Sequence, residues 1–288
     1  MLKISRELLL NSALGDAEVL ICRNLGRQPT PEVHSPLPQL LFTLRGCFLW
    51  HVGSSRQLVD ANRCVVIHAG ETSQDSHPTD AGDVAALLIA PRWELIEEIF
   101  AWDGGAAPSA GAMRVHTLPA TPALQLATHD FVNAARRTRP GPRSAADELA
   151  LEEDMLAVLR RLAPARRSHP SLQRMRVSGR VRHMVHAVKE QLQTLDQRVS
   201  LTELARTVNV TPAHLTDVFR RVEGIPLANY CRRIRLARAL HELPRTQNLA
   251  SLAQDLGFSS HGHFSAAFKS LYGITPSQFR DSRRVRSA

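Results

Sequence analysis

Four cysteines occur in 288 residues, Cys22, Cys47, Cys64 and Cys231, and no two of them stand at a ligand or disulfide spacing. That scatter excludes a disulfide framework and a cysteine-built zinc site, and predicts four reduced, structural thiols. No apolar run reaches the length of about eighteen residues that a membrane-spanning helix needs. The first ten residues carry Lys3, Arg6 and Glu7 and lack the apolar centre of a signal peptide. Both absences predict a cytoplasmic protein with no membrane partner. Histidine is plentiful, yet His51, His68, Glu71 and His77 lack the close histidine pair followed by a glutamate that would converge on one ion. No metal, cofactor or catalytic residue is expected.

The chain has the length of about two domains, and 43% hydrophobic residues suffice for proper cores. Its charge is unevenly spread. From Ser171 to Ala288 there are 19 Lys and Arg against 8 Asp and Glu, whereas Met1 to Pro170 has 17 against 19. The whole surplus of +9 therefore sits in the C-terminal part, which has the sequence-independent attraction to phosphate that nucleic-acid binding needs.

From Gln39 to Pro91 the texture is that of short strands. Leu40, Phe42, Leu44, Phe48, Trp50 and Val52 alternate with polar neighbours around a turn or bulge at Arg45-Gly46, and apolar runs follow at Cys64 to Ile67 and Val84 to Ala90. Such strands predict a small antiparallel sandwich or barrel. Trp93, Ile96, Ile99 and Phe100 then give a helical face, followed by a loop from Asp103 to Gly111. Two helices, Leu124 to Ala135 and Ala145 to Leu162, are joined by the breaker Arg139-Pro-Gly-Pro142. The second has a broad apolar face made of two seams, Leu149, Leu156, Leu159 and Ala163 beside Leu151, Met155, Val158 and Leu162. A linker over 164–179, with Arg166, Arg167, Arg174 and Arg176, separates domain 1–163 from domain 180–288. The latter opens on a helix with Val181, Val185, Val188 and Leu192 in line.

Within that second domain one pattern occurs twice. Leu204, Ala205 and Val208 recur 48 positions later as Leu252, Ala253 and Leu256; after one extra residue, Leu215, Phe219, Arg220, Gly224, Ile225 and Tyr230 recur at 49 as Phe264, Phe268, Lys269, Gly273, Ile274 and Phe279. Each copy reads as helix, tight turn, helix. Ser200 and Glu203 form a capping box, Asn209 tolerates the left-handed turn, and Thr211-Pro212 caps and opens the next helix. In the second copy Gly257 takes the turn and Ser259 the cap. The pattern is that of a helix-turn-helix, whose second helix enters the major groove of DNA. A buried helical hairpin would show the same stripes, but two copies with cationic outer faces count against it. A helix from about Pro226 to Leu243 joins the two copies.

Gly257-Phe258-Ser259, the run Phe264 to Lys269, and Gly273-Ile274-Thr275-Pro276-Ser277-Gln278-Phe279-Arg280 resemble the signature of AraC/XylS-type bacterial transcription regulators. Gly224-Ile225-Pro226, Tyr230 and Arg235 to Leu240 are similar to that family's first unit and connecting helix. Asp217 and Ala266 depart from it, standing where the family commonly has arginine. The resemblance covers roughly Val181 to Arg280. It implies an α+β protein: an N-terminal antiparallel cupin-like β-barrel with a helical hairpin, holding effector binding and dimerisation, and an all-α C-terminal domain that binds promoter DNA. It also implies a small-molecule effector, contact with RNA polymerase as in a transcription activator, and a homodimer through the second hairpin helix, although packing on the barrel explains the apolar face of that helix more plainly. A metal-dependent cupin-type enzyme with an appended DNA-binding domain is the alternative. Alkylation-repair methyl acceptors share the DNA-binding architecture but carry a zinc-bound cysteine cluster that this sequence lacks.

The expected contacts divide by chemistry. Arg220, Arg221 and Lys269, late in each second helix, are expected on phosphates, as are the helix starts at Thr211 and Ser259. His214, Thr216 and Asp217, with His261 and His263, are expected on base edges. Ala213, Ser260, Gly262 and Ser265 complete the open faces. The residues of an effector pocket are not assigned; inward strand positions such as Phe42, Leu44 and Trp50 serve core packing equally well.

Overall fold

The computed structural model describes residues 3–23, 26–77, 83–95, 117–138, 143–162, 178–194 and 200–283. The linker arginines, the helical positions Ile96, Ile99 and Phe100, the 103–111 loop and the 139–142 breaker lie outside them. Ten strands come first: β1 (Lys3–Ser12), β2 (Gly15–Arg23), β3 (Val33–Ser35), β4 (Gln39–Arg45), β5 (Phe48–Val52), β6 (Ser55–Val59), β7 (Arg63–Ile67), β8 (Glu71–Ser76), β9 (Val84–Pro91) and β10 (Thr117–Pro119). They pair into a six-stranded sheet of order β1-β2-β9-β4-β7-β10 and a four-stranded sheet of order β3-β8-β5-β6. Every ladder is antiparallel.

The large sheet is covered on both faces, which explains why β9 is apolar at nearly every position. One face meets the small sheet through Leu41, Val65, Ile67, Ala86 and Leu88 against Phe48, Trp50 and Val59. The other carries Leu40, Phe42, Leu44, Leu87 and Ile89 onto a helical hairpin. Phe42 and Leu44 therefore point away from the sandwich interior, and of the three inward positions named from the sequence Trp50 alone lies between the sheets. The register shift between Thr43 and Arg45, with Gly46 at φ 77°, supplies the expected bulge and turn. The β1–β2 hairpin escaped the alternation rule because a bulge between Leu8 and Leu10 turns consecutive residues, Leu9 and Leu10, both inward.

The hairpin is α1 (Pro122–Arg137), capped by Thr121, and α2 (Ala145–Arg160), opened by a capping box of Ser144 and Asp147. On α2 the seam of Leu151, Met155, Val158 and Leu162 is buried against the sheet and α1. The neighbouring seam splits: Leu159 is buried, Leu156 half-buried and Leu149 58% exposed.

The C-terminal part is helical: α3 (Gly179–Thr194), α4 (Leu201–Thr207), α5 (Pro212–Glu223), α6 (Leu227–Glu242), a short 3-10 turn at Leu243–Arg245, α7 (Leu249–Asp255), α8 (His261–Tyr272) and α9 (Pro276–Arg283). Val185 and Val188 of α3 join Leu204, Leu215, Phe219 and Tyr230 in one core; Leu236, Leu240, Leu252, Phe264, Phe268 and Phe279 form the next. The repeat holds at the level of ring contacts. Phe219 meets Tyr230 edge-on at 5.1 Å, and 49 positions on Phe268 meets Phe279 edge-on at 5.9 Å. Phe131 of α1 is fully buried where sheet and hairpin meet. Phe131→Ala is expected to lower the unfolding free energy by ~3–5 kcal/mol, and Leu149→Ala by less than ~0.5 kcal/mol, in urea titrations of the full chain.

Candidate nucleic-acid interface

The two units are built by the same local bonds. At the first turn the Asn209 amide donates to Arg206 O at 3.1 Å and the Val210 amide to Ala205 O at 3.0 Å; at the second, Gly257 donates to Gln254 O at 2.8 Å and Phe258 to Ala253 O at 2.9 Å. Asn209 and Gly257 hold the left-handed position, at φ 54° and 74°. Thr211 Oγ1 caps α5 by accepting the His214 amide, and Ser260 Oγ caps α8 by accepting the His263 amide. Ser260, 49 positions after Thr211, is thus the cap expected at Ser259. The extra residue of the second copy falls between turn and cap, which leaves Ser259 in the turn itself. Both second helices end on a left-handed glycine, Gly224 at φ 76° and Gly273 at φ 79°.

With Leu215, Val218 and Phe219 buried, α5 exposes Ala213, His214, Asp217, Arg220 and Arg221. Arg221 pairs with Asp217 one turn earlier, both more than half exposed, so its cation is partly answered before any phosphate arrives. Thr216 is half-buried and its hydroxyl donates back to Pro212 O and Ala213 O. On α8, Phe264 and Phe268 are buried while His261, Gly262, His263, Ala266 and Lys269 are exposed and Ser265 half-buried. Ser259 Oγ lies 3.1 Å from His263 Nδ1, and Ser265 Oγ 3.4 Å from His261 Nε2. The connecting helix α6, 16 residues long, spans ~24 Å at ~1.5 Å per residue.

Both units dock on the sandwich through one turn, residues 60–63, a long-range contact that no local pattern of residues marks out. Glu223, the last residue of α5, accepts from Arg63 Nη2 at 3.0 Å and Nε at 3.2 Å, and from Lys189 Nζ of α3 at 3.4 Å. Lys189, 1% exposed, also donates to Leu58 O at 3.2 Å and stands 3.9 Å from Asp60. Tyr230 of α6 donates its hydroxyl to Asp60, and Asn62 donates to Tyr230 O. Burial alone would raise the Glu223 carboxyl, but Arg63 and Lys189 hold it down at about 2. Tyr272, the last residue of α8, donates to Gln125 Oε1 at 3.0 Å, and Gln125 Nε2 donates to Ala61 O at 2.6 Å. Equivalent ends of the two second helices are thereby referred to the same four residues.

Two of the candidate metal ligands of the sandwich, His51 and Glu71, have other partners. His51 Nε2 lies 2.8 Å from Ser76 Oγ, and Glu71 accepts the His68 amide. Among the described residues, no group of three or more His, Cys, Asp or Glu is placed to hold an ion. No described helix is long and apolar enough to cross a membrane.

Two helix-turn-helix units on a shared connecting helix define a DNA-binding domain. Residues 204–282 match the family described as a helix-turn-helix domain. The HTH-type transcriptional activator AarP of Providencia stuartii is 38% identical over 87 residues, 30% of this chain and 64% of that one. The HTH-type transcriptional regulator GlxA of Rhizobium meliloti is 38% identical over 96 residues, 33% of this chain and 30% of that one. The arabinose operon regulatory protein of Salmonella typhimurium is 29% identical over 125 residues, 43% and 42% of the two chains. The matched part thus spans less than two thirds of each of these relatives. Among solved structures, the C-terminal domain of AraT from Geobacillus stearothermophilus is similar over 39% of this chain and 92% of that one, at 26% identity and TM-score 0.34. ToxT of Vibrio cholerae is similar over 98% and 97%, at 12% identity and TM-score 0.34.

Two outcomes test the docking. Arg63→Met leaves Glu223 short of a cation in a buried site and is expected to cost ~3–5 kcal/mol, much of it recovered by adding Glu223→Leu, in a double-mutant cycle of urea unfolding. His129 of α1 and His241 of α6 meet across the same interface with ring centroids 6.3 Å apart. Burial, then the charges of neighbours including Arg136, lowers His129 to about 3; burial, then Arg245, Arg45 and Arg136, lowers His241 to about 4. A folded pKa below the unfolded ~6.5 means stability present above pH ~6.5 and lost as pH falls toward 4. Melting temperatures are expected to drop over that window, and less steeply in His129→Gln.

Proposed function

We propose that the protein is a sequence-specific DNA-binding transcription regulator that lays α5 and α8 into successive major-groove segments of a promoter. The observation that carries this reading is the duplication itself. One turn geometry and one capping pattern are built twice on a connecting helix of ~24 Å, and each copy exposes a face with at least one cation and at least one histidine. Successive major grooves on one face of B-DNA are ~34 Å apart, a gap that tilting or moderate bending closes. An ordinary buried helical hairpin would have no reason to keep His214, Arg220, His261 and Lys269 in water.

In this reading Arg220 and Lys269 hold phosphates, joined by Arg221 once its exposed pair with Asp217 opens, and by the amides at the starts of α5 and α8 behind Thr211 and Ser260. His214, Asp217 and His261 face base edges, with Ala213 and Gly262 allowing close approach. Thr216 contributes a methyl or, after rotation, its hydroxyl. Asp217 accepts hydrogen bonds, so it favours a cytosine amino group where an arginine would favour guanine. The N-terminal sandwich and hairpin, up to about residue 163, are the effector domain, and a small molecule bound there acts through the 60–63 turn that both units share. Leu149, exposed on α2, suits a homodimer contact through that helix. The site of action is the cytoplasm.

The test is titration of the purified chain with its own upstream promoter DNA at two salt concentrations, with excess non-specific competitor. Competitor-resistant binding with strong salt dependence is expected; binding that vanishes with competitor at every salt would falsify the reading for that promoter. Arg220→Ala and Lys269→Ala should each weaken binding to all sequences and flatten the salt slope by ~0.9. His214→Ala and His261→Ala should leave the slope in place and relax preference at single base pairs by ~1–3 kcal/mol, read by competition with operator variants.

A further inference from the structure

Besides joining the units, α6 has a cationic side of its own. Ala228, Arg232 and Arg235 recur at helical spacing and share one face. Together with the turn Gly257, Phe258 and Ser259 and with His263 of α8, they line an open cleft of about 280 Å³. That is many times the ~30 Å³ share of one water molecule, and room enough for a phosphate group. No carboxylate lines the cleft. Among the described residues, neither Arg232 nor Arg235 has a carboxylate partner.

The walls hold Arg235 and His263 in place. Arg235 lies over the backbone of Gly257, where an added Cβ would stand 3.7 Å from the guanidinium carbon, so the left-handed turn gives the planar group a flat seat. His263 is fixed by Ser259 at its Nδ1 and by Phe258, whose ring it meets edge-on at 5.7 Å. When the Ser259 hydroxyl donates to Nδ1, the remaining ring N–H is free to donate outward. Gly262, in the first turn of α8, meets nothing nearer than Ser260 Oγ at 3.9 Å, so the helix start is open to approach. Two guanidinium groups, an imidazole donor and a hydroxyl around a space without acid match a phosphodiester.

We infer that this cleft seats a backbone phosphate of the duplex strand that runs between the two major-groove segments, with Arg232 and Arg235 as its cationic grip. The inference rests on the DNA-binding reading above and moves His263 from the base edges to the backbone. It gives the connecting helix a part in recognition. A phosphate held between the units fixes the register of the two segments relative to each other, so tolerance to altered spacing depends on it.

The experiment compares the full chain with Arg232→Gln, Arg235→Gln and Arg235→Lys on promoter DNA, by salt-dependent titration and ethylation interference. Each Gln variant is expected to bind about tenfold more weakly and to lose ~0.9 from the salt slope, while Arg235→Lys keeps most of it. Ethylation of the phosphates between the two segments should block the wild type and cease to matter for Arg232→Gln. An unchanged slope and unchanged interference would overturn the cleft as a phosphate seat, as would a fall in melting temperature without a change of slope, which would mark Arg235 as a prop for Gly257. Inorganic phosphate titrated against the free chain separates sources: saturation at low millimolar phosphate with DNA slopes unaltered would make this a small-anion site and overturn the proposal. If the wild type binds no DNA at any salt, the regulator reading itself falls; if the wild type binds and the variants match it, the cleft alone does.

Discussion

A carboxylate taken out of water at the end of a helix is held twice over at fault. Burial costs it hydration, and the negative end of the helix dipole repels it. Glu223 stands in that position, at the last turn of α5 with its side chain 5% exposed, and it is kept ionised by Arg63 from the sandwich and Lys189 from α3. The C-terminal half supplies one of its two cations and the sandwich the other. The orientation of α5 relative to the sandwich is therefore tied to one charge, and the contacts of Tyr230 with Asp60 and Asn62 follow from the same approach.

The second unit reaches the same turn by neutral means. Tyr272 stands where Glu223 stands in the repeat, and its hydroxyl passes through Gln125 to the carbonyl of Ala61. Arg283 adds an ion pair to Asp130 of α1, and its guanidinium lies over the Phe279 ring. Duplicated helices have thus been fastened to one anchor by different chemistry, charged for one and amide-mediated for the other. Their response to pH differs accordingly, since only the first link to the turn rests on a carboxylate that acid can neutralise. A change of shape at residues 60–63 would move both helices, whatever produced it.

Much of this was legible in the residues. Asn209, Gly257, Thr211 and the two terminal glycines announce turns and caps because few residues tolerate those backbone conformations, and the offset of 48 then 49 located the extra residue of the second copy. The same offset, carried one step further, would have placed the cap at Ser260 in place of Ser259. What escaped was long-range. The hairpin at 3–23 hides behind a bulge that breaks its alternation. Phe42 and Leu44 read as inward because a sheet covered on both faces gives no pattern to tell one side from the other. The docking of Glu223 left one trace, an acid at a helix C-terminus where a cation is favoured, and an isolated residue against the dipole is too common to be decisive. The arginines of α6 were visible as charge, but their pairing with Gly257 and His263 needs the second unit folded back beside them.

The partners across the docking turn are far apart along the chain: 131 residues separate Leu58 from Lys189, 160 separate Arg63 from Glu223 and 170 separate Asp60 from Tyr230. On a ribosome adding ~5–20 residues per second, Arg63 waits roughly 8–32 s for its carboxylate to be made. During that interval the turn is a charged loop in water, which costs nothing, whereas an apolar anchor at the same place would be an adhesive surface. An interface built on ions that are well hydrated while they wait lets the sandwich fold first and stay soluble until the helices arrive.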